Sequence, residues 1–576
     1  MADPIVIAVF NSTIGWLLNE GRDRVAKKFK EGDVVDQWLC NLIARELDDI
    51  KSKLNGLAQK DLGASISFYN EGLKMFSHEA KTEVDGVSAK GEQLDAIAKS
   101  LSADAEAFSC ASKITISPNV KERFKDARRR ATDAFNDTAL SPSDRIFAMY
   151  IRVKATLLEE VDDPICALEL CKYYLEEMYS MREVKENFNL DIKRRFIPKR
   201  LLKEDKRGKL ICSVCHVSRI VFDVVQLVGG DSVLQEFFVW PTICNDKRDE
   251  IDPLRDPRLK ETLEKQGMEH FSVIRSFGQE GEKDNHRLKL PRSIATNSQG
   301  QFLVVDNTAT KVYDSSGKFL YTPRVATDKK FQYDTMDIDT DRKDNLYLLV
   351  WVANKQERED CWYEVHVFDN IGKPCPKFQL RKNSKGRKLA VNSTRDDGTD
   401  EVLVLEGDEK LNAQVEVYET SGKFVCEFGG RILQHAKDIV GANAGRTLVL
   451  DCPHEAEKMY VREMFVREFS AERELLRSIP VMPNSVAIAF HRGSGHIVIE
   501  FAPFDLKKGG YRERLSIYKA PDANNNDDEG KLVRVIELDA LGISLDQSLT
   551  VTRSGRIALV LAQDFNGDPQ GNVWVV

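Results

Sequence analysis

What this 576-residue sequence lacks narrows it before anything present does. It holds no apolar stretch of the roughly 20 residues that a bilayer-spanning helix needs. The two nearest are residues 1–18, with the runs IVIAVF and IGWLL, and 212–228, which His216, Arg219 and Asp223 interrupt. The first carries Asp3 and Pro4 where a secretory signal has basic residues, so it does not read as one. Cysteine is sparse: 11 residues, odd in number and scattered singly, which excludes a disulfide-dense secreted domain and favours a reducing compartment. The sequons at Asn11, Asn136 and Asn392 carry no meaning in a cytosolic chain. No strong excess of one charge exists either. Lys+Arg 84 against Asp+Glu 92 gives a net charge of −8, too modest to announce a nucleic-acid or membrane partner. G-x-S-x-G, Walker A and H-E-x-x-H are absent, and Ser315–Lys318 (SSGK) is a hairpin turn without the long glycine loop that cradles a phosphate.

What is present falls into two periods. Up to about residue 265 the apolar spacing is helical. Ile43, Leu47, Ile50, Leu54 and Leu57 make one stripe over 34–59. Phe124, Ala127, Ala131 and Phe135 make the buried edge of a helix over 121–135, and Ile146, Tyr150, Val153, Leu157 and Val161 that of the next, with Ser143 as its expected N-cap. Asp162, Asp163 and Pro164 end that helix, and another over 165–181 returns with Leu168, Leu175 and Met178 inward. Residues 77–116 read as either an exposed helix or a loop. Residues 193–209 read as a charged connector around Pro198, 212–228 as a last helix, and 252–266 as the lead into the second half.

From about residue 271 the period becomes two, and a pattern recurs about every 45 to 65 residues, the signature of a β-propeller. The clearest copy reads Leu290, Pro291, Arg292, Ser293, Ile294, Ala295, then GQFLVVD over 300–306, KVYD over 311–314 and GKFL over 317–320. Five further copies follow, the fifth interrupted by DANNNDDEG (522–530), which reads as disordered. The sixth lacks a fourth strand, and FSVIRSF (271–277) is the expected donor that closes the ring against 572–576.

The Pro-x-x-Ile-Ala, Gly-x-apolar-x-Val-x-Asp and Asp-x-x-Gly-Lys elements of 290–320 resemble an NHL repeat, and 369–373 and 419–423 keep the last of them. The resemblance covers about half the chain and implies a six-bladed platform that binds partner proteins or RNA. Some proteins with such propellers are ubiquitin ligases, but this chain has no cysteine and histidine array for a RING or B-box in its first half. The expected architecture is therefore multidomain, α plus all-β: an α-helical module over 1–192, bundle-like or helical-repeat-like; a basic connector and helical linker over 193–270; and a six-bladed NHL-like propeller over 271–576.

Several constellations invite chemistry. Cys212, Cys215 and His216 spell C-x-x-C-H, but haem attachment needs an oxidising export compartment and zinc needs a second ligand pair, so core packing is expected. Asp337, Asp339, Asp341 and Asp344 alternate like a calcium loop, yet Arg342 stands where glycine is required and no closing Glu follows. His491 and His496 flank a hairpin turn with no third ligand in sight. The basic run Lys193, Arg194, Arg195, Lys199, Arg200, Lys203, Lys206, Arg207 and Lys209 is the candidate anion or nucleic-acid patch, weighed against a solvated linker. No catalytic, cofactor or metal residue is assigned. The expected function is a non-catalytic cytosolic interaction protein with a protein partner and possible self-association through the N-terminal helices. RNA binding and a propeller enzyme with a channel metal are the alternatives.

Overall fold

The computed structural model describes residues 60–84, 116–189, 203–228, 240–245, 250–268, 272–278 and 286–576, the last range without 308, 324, 326–327, 357–360, 383, 393–399, 408–412, 454–462, 502–503, 506–509, 512–513, 520–529, 539–547, 554 and 566–567. The chain divides into two compact units, Met1–Val273 and Ile274–Val576. The helix expected over 34–59, the apolar run 1–18, most of 77–116 and the loop 522–529 lie outside the described residues. No described helix is long and apolar enough to cross a membrane.

The first unit is helical: α1 Lys60–Val84, α2 Pro118–Asn136, α3 Pro142–Glu159, α4 Pro164–Ser180, α5 Arg182–Asn187, α6 Lys203–Val228 and α7 Lys260–Lys265. Three of them start by one rule. Ser117, Ser141 and Asp163 cap α2, α3 and α4, each accepting a backbone N–H from its helix, and each stands directly before a proline at the first helical position. The expected cap Ser143 is thus corrected to Ser141: Pro142 has no N–H to satisfy and a φ already suited to the first turn, so the cap falls before it.

Burial follows the helical period. Leu62, Ile66, Tyr69, Leu73 and Phe76 of α1 are buried, and the Tyr69 ring meets Phe124 of α2 at 5.8 Å. Gly72 permits that approach, since a Cβ there would stand 2.9 Å from the Phe124 ring. Polar ties join the helices: Arg128 to Glu159 between α2 and α3, Arg152 to Glu177 between α3 and α4, and Tyr179 Oη to Ser218 Oγ at 2.6 Å between α4 and α6. Cys212 and Cys215 are buried in α6, and burial holds the Cys215 thiol well above its ordinary pKa, which suits packing rather than ligation. The His216 ring lies against Tyr150 in a tilted arrangement, with centroids 5.3 Å apart.

The second unit is a six-bladed β-propeller, each blade a four-stranded antiparallel sheet. Blade 6 joins the two ends of the unit: Val573, Trp574 and Val575 pair with Phe277, Ser276 and Arg275. The closing strand is Arg275–Phe277, shorter than the 271–277 expected from sequence. Apolar residues from adjacent blades interleave, as where Phe277, Ile294, Val304, Val560 and Val573 share one cluster.

The repeat residues have visible structural tasks. Asp306 ends the second strand of blade 1 and accepts the backbone N–H groups of Lys289 and Leu290, pinning the chain as it enters the innermost strand. Glu406 does the same for Lys385 in blade 3, and Asp451 for Gln434 and His435 in blade 4. The outer hairpins need a left-handed residue, which Gly317, Gly372 and Gly422 supply in blades 1 to 3. Blade 4 puts Arg473 there with φ 73°, which removes the glycine that would have marked the repeat.

Candidate binding site in the propeller channel

The innermost strands are Pro291–Thr296, Phe331–Thr340, Gly386–Asn392, Asp438–Gly441, Ser485–His491 and Leu549–Val551. Their pairing with the second strands sets Ile294, Ile338, Leu389, Ile439, Ile488 and Leu549 at one level. The residue before each is therefore also at one level: Ser293, Asp337, Lys388, Asp438, Ala487 and Ser548. Five of these six are polar, and they converge. Ser293 Oγ donates to Asp337 Oδ1 at 2.5 Å and lies 3.4 Å from Ser548 Oγ, while Lys388 Nζ stands 3.9 Å from Asp337.

These groups also hold the ring together. The Leu389 N–H of blade 3 donates to Asp337 of blade 2, Ile488 N–H of blade 5 to Asp438 of blade 4, and Ile294 N–H of blade 1 to Ser548 of blade 6. Each supplies an acceptor for an inner-strand N–H that faces a neighbouring blade rather than a ladder partner. Asp339 takes the N–H of Val391 in the same way.

The electrostatics follow from burial. Asp438 is pushed up to about 6 by desolvation and by the like charge of Asp337, against Lys388 and the donated N–H groups of Ile488 and Ile439. Asp339, half-buried, is also raised to about 6, chiefly by desolvation, with Val391 and Thr340 N–H groups and Arg492 opposing. With both oxygens of Asp337 and of Asp438 already accepting protein donors, the carboxylates work as connectors between blades.

The calcium-like set separates accordingly. Asp337 and Asp339 lie on the inner strand and bind blade 3, Asp341 accepts from Lys343, Asn345 and Tyr347 within its own turn, and Asp344 binds Ser298 of blade 1. His491 and His496 both address Ser494 Oγ, at 2.7 and 2.8 Å, and His491 Nε2 donates to the Arg553 carbonyl of blade 6 at 2.9 Å. Burial first, then the neighbouring His491, lowers His496 to about 4. Among the described residues no group of three or more His, Cys, Asp or Glu is arranged to hold a metal.

Sequence reasoning missed a polar knot in blade 2, where Glu364 accepts from Trp362 Nε1, His366 Nε2 and Lys377 Nζ at 2.9, 2.8 and 2.6 Å. Burial would raise the Glu364 carboxyl, but these three donors outweigh it and hold it below its ordinary value. The alternation Trp362, Glu364, His366 on one strand face was the only signal for it.

The basic run is divided by the structure. Lys193, Arg194, Arg195, Lys199 and Arg200 lie outside the described residues. Lys203, Lys206, Arg207 and Lys209 belong to α6, a continuous helix of 26 residues, so this end of the expected connector is helical. Its apolar face, with Leu210, Ile211, Val214 and Val217 buried, carries the helix back through the basic segment. Lys206 and Lys209 are exposed, whereas Arg207 donates to the carbonyls of Asn187 and Asn189 at 3.0 and 3.1 Å, a tie to the end of α5.

No family model matches the chain, and no curated protein matches it in sequence. Among solved structures it is similar to the RRP9 WD40 repeats, with 9% identity over 52% of this chain and 96% of that one and a TM-score of 0.34. The propeller domain of the trilobed protease from Pyrococcus furiosus is similar at 11% identity, over 49% and 84%, with a TM-score of 0.29. Trypanosoma rangeli sialidase is similar at 12%, over 52% and 57%, with a TM-score of 0.35. Likenesses this distant carry no functional argument, and the six four-stranded blades by themselves make the second unit a β-propeller.

Proposed function

We propose that this chain is a non-catalytic, cytosolic interaction protein, with a propeller of the NHL kind as the binding platform and the helical unit docking a second partner or a second copy. The observation that carries the reading is the use of the channel polar groups. Asp337, Asp438 and Ser548 each accept an N–H from the neighbouring blade, so the chemistry at the ring's centre serves rigidity, which a recognition platform requires. The NHL assignment draws on the repeat residues Asp306, Gly317, Gly372 and Gly422 in their turn and pinning roles. Cytosolic residence draws on the free thiols, among them the exposed Cys166, Cys361 and Cys375.

The test is capture from cell extract with the purified full chain, with and without nuclease treatment, followed by reconstitution with each captured protein in purified form. The reading expects a purified protein to bind directly in nuclease-treated buffer. Capture that vanishes with nuclease, and returns with added RNA at physiological salt, would instead establish the RNA reading.

A further inference from the structure

Hairpin tips joining the innermost strand to the second strand surround one mouth of the channel, and their described residues are 298–300, 341–344, 443–445, 492–495, 553 and 555. They are stitched into a collar across every seam. Ser298 donates to Asp344, Val391 N–H to Asp339, Asn392 to the Gly445 carbonyl, Asn443 to the Arg492 carbonyl, His491 to the Arg553 carbonyl and Thr296 to the Val551 carbonyl. The exposed charged side chains at these tips are Arg342, Lys343, Arg492 and Arg553, all basic and drawn from three blades. Asp341 is buried within its turn, both oxygens of Asp344 accept from Ser298, and of these four cations Asp339 and Asp400 act on Arg492, which leaves Arg342, Lys343 and Arg553 as the basic excess. Arg492 extends past blade 4 to the Val391 carbonyl of blade 3, at 3.4 Å, and lies in the field of Arg342 from blade 2.

We propose that this mouth binds an acidic protein segment, its Asp and Glu side chains paired with Arg342, Lys343, Arg492 and Arg553. The proposal rests on the platform reading above and names the face and the partner chemistry. Guanidinium groups suit carboxylates because two parallel N–H donors match two oxygens. Small residues at the tips, Gly300, Ala444, Gly445, Gly493 and Gly495, let an extended chain lie close. The described tips carry no aromatic ring, so single-stranded nucleic acid finds no stacking platform among them. The stitched collar fixes the backbone beneath the basic groups, which limits the entropy lost on binding.

The experiment uses the full chain and a fluorescein-labelled deca-glutamate peptide, read by anisotropy at low and physiological salt. The unmodified chain should bind, and Arg342→Gln with Arg492→Gln should weaken binding at least tenfold while the chain keeps a cooperative melting transition well above the assay temperature. Lys318→Gln with Lys373→Gln, the same charge change on exposed outer-hairpin residues, should leave it within twofold. No binding by the unmodified chain, or equal weakening by both double variants, overturns the proposal. Tighter binding of oligo-uridine than of the peptide, lost in the arginine variant, overturns it in favour of nucleic acid. A chain that still binds its purified protein partner after the arginine changes refutes the face while leaving the platform reading intact; a chain that binds no purified partner refutes that reading instead.

Discussion

Replacing Asp438 by Asn should remove a pH dependence that the unmodified propeller carries. The Asp438 carboxyl is raised from 3.8 to about 6, so the folded state holds its proton more tightly than the unfolded chain does. Stability from this group is therefore greatest below pH 3.8, falls as pH rises towards 6, and is flat above. Linkage over that shift gives a gain of about 1.4 kcal/mol on going from pH 7.5 to pH 5. Asn cannot titrate, and it has one acceptor oxygen where Asp438 uses two, one for Ile439 N–H and one for Ile488 N–H. Relief of the buried charge, about 3 kcal/mol at neutral pH, is thus offset by one unmet N–H at about 1–3 kcal/mol. The variant should be close to wild type in stability at pH 7.5 and about 1.4 kcal/mol less stable than wild type at pH 5. Urea unfolding of the full chain at both pH values, followed by tryptophan fluorescence, measures the difference. A gap between the two proteins that stays constant from pH 7.5 to 5 would refute the argument, because other titrating groups are common to both.

His496 should act with opposite sign: lowered to about 4, it costs stability as pH falls from 6.5 towards 4, and His496→Gln should abolish a loss of about 2 kcal/mol by pH 5. In the helical unit, Gly72→Val should destabilise by about 1–3 kcal/mol through the Phe124 contact, while Gly72→Ala should be milder because helix propensity returns about 1 kcal/mol; thermal melts separate the two. Gly571→Ala should lower the propeller's melting temperature, since the new Cβ would sit 2.1 Å from Pro291 Cδ at the seam between blades 6 and 1, and an unchanged melt would count against that packing. Arg207→Gln should destabilise the helical unit by about 1–3 kcal/mol by freeing two carbonyls, whereas Lys206→Gln should change nothing measurable in the same denaturation assay.

Legibility in the sequence tracked how strongly local physics ties a residue to one task. Blade 1 was readable because Gly300, Gly317 and Asp306 occupy positions that a turn or a pinned loop demands. Blade 4 was faint because Arg473 takes the left-handed position that glycine holds elsewhere. The helical faces were readable from period alone, as Phe124, Ala127, Ala131 and Phe135 are all buried. The cap of α3 falls at Ser141, two residues before the expected Ser143, because Pro142 takes the first helical position. The channel level was invisible: its members, Ser293, Asp337, Lys388, Asp438, Ala487 and Ser548, differ chemically, and only pairing register brings them together. The task of Asp337 and Asp339 within their calcium-like alternation was hidden for the same reason, since the N–H groups they accept come from a strand some 50 residues later.

The central claim, that the closed propeller is the binding platform, is tested most directly by equilibrium binding of one purified protein partner to the full chain and to a chain lacking Asn572–Val576. That deletion removes the strand residues that pair with Arg275–Phe277. The account predicts saturable one-to-one binding by the intact chain, and loss of both binding and the propeller's cooperative melting transition in the shortened one. Equal affinity of the two chains for that partner would contradict it.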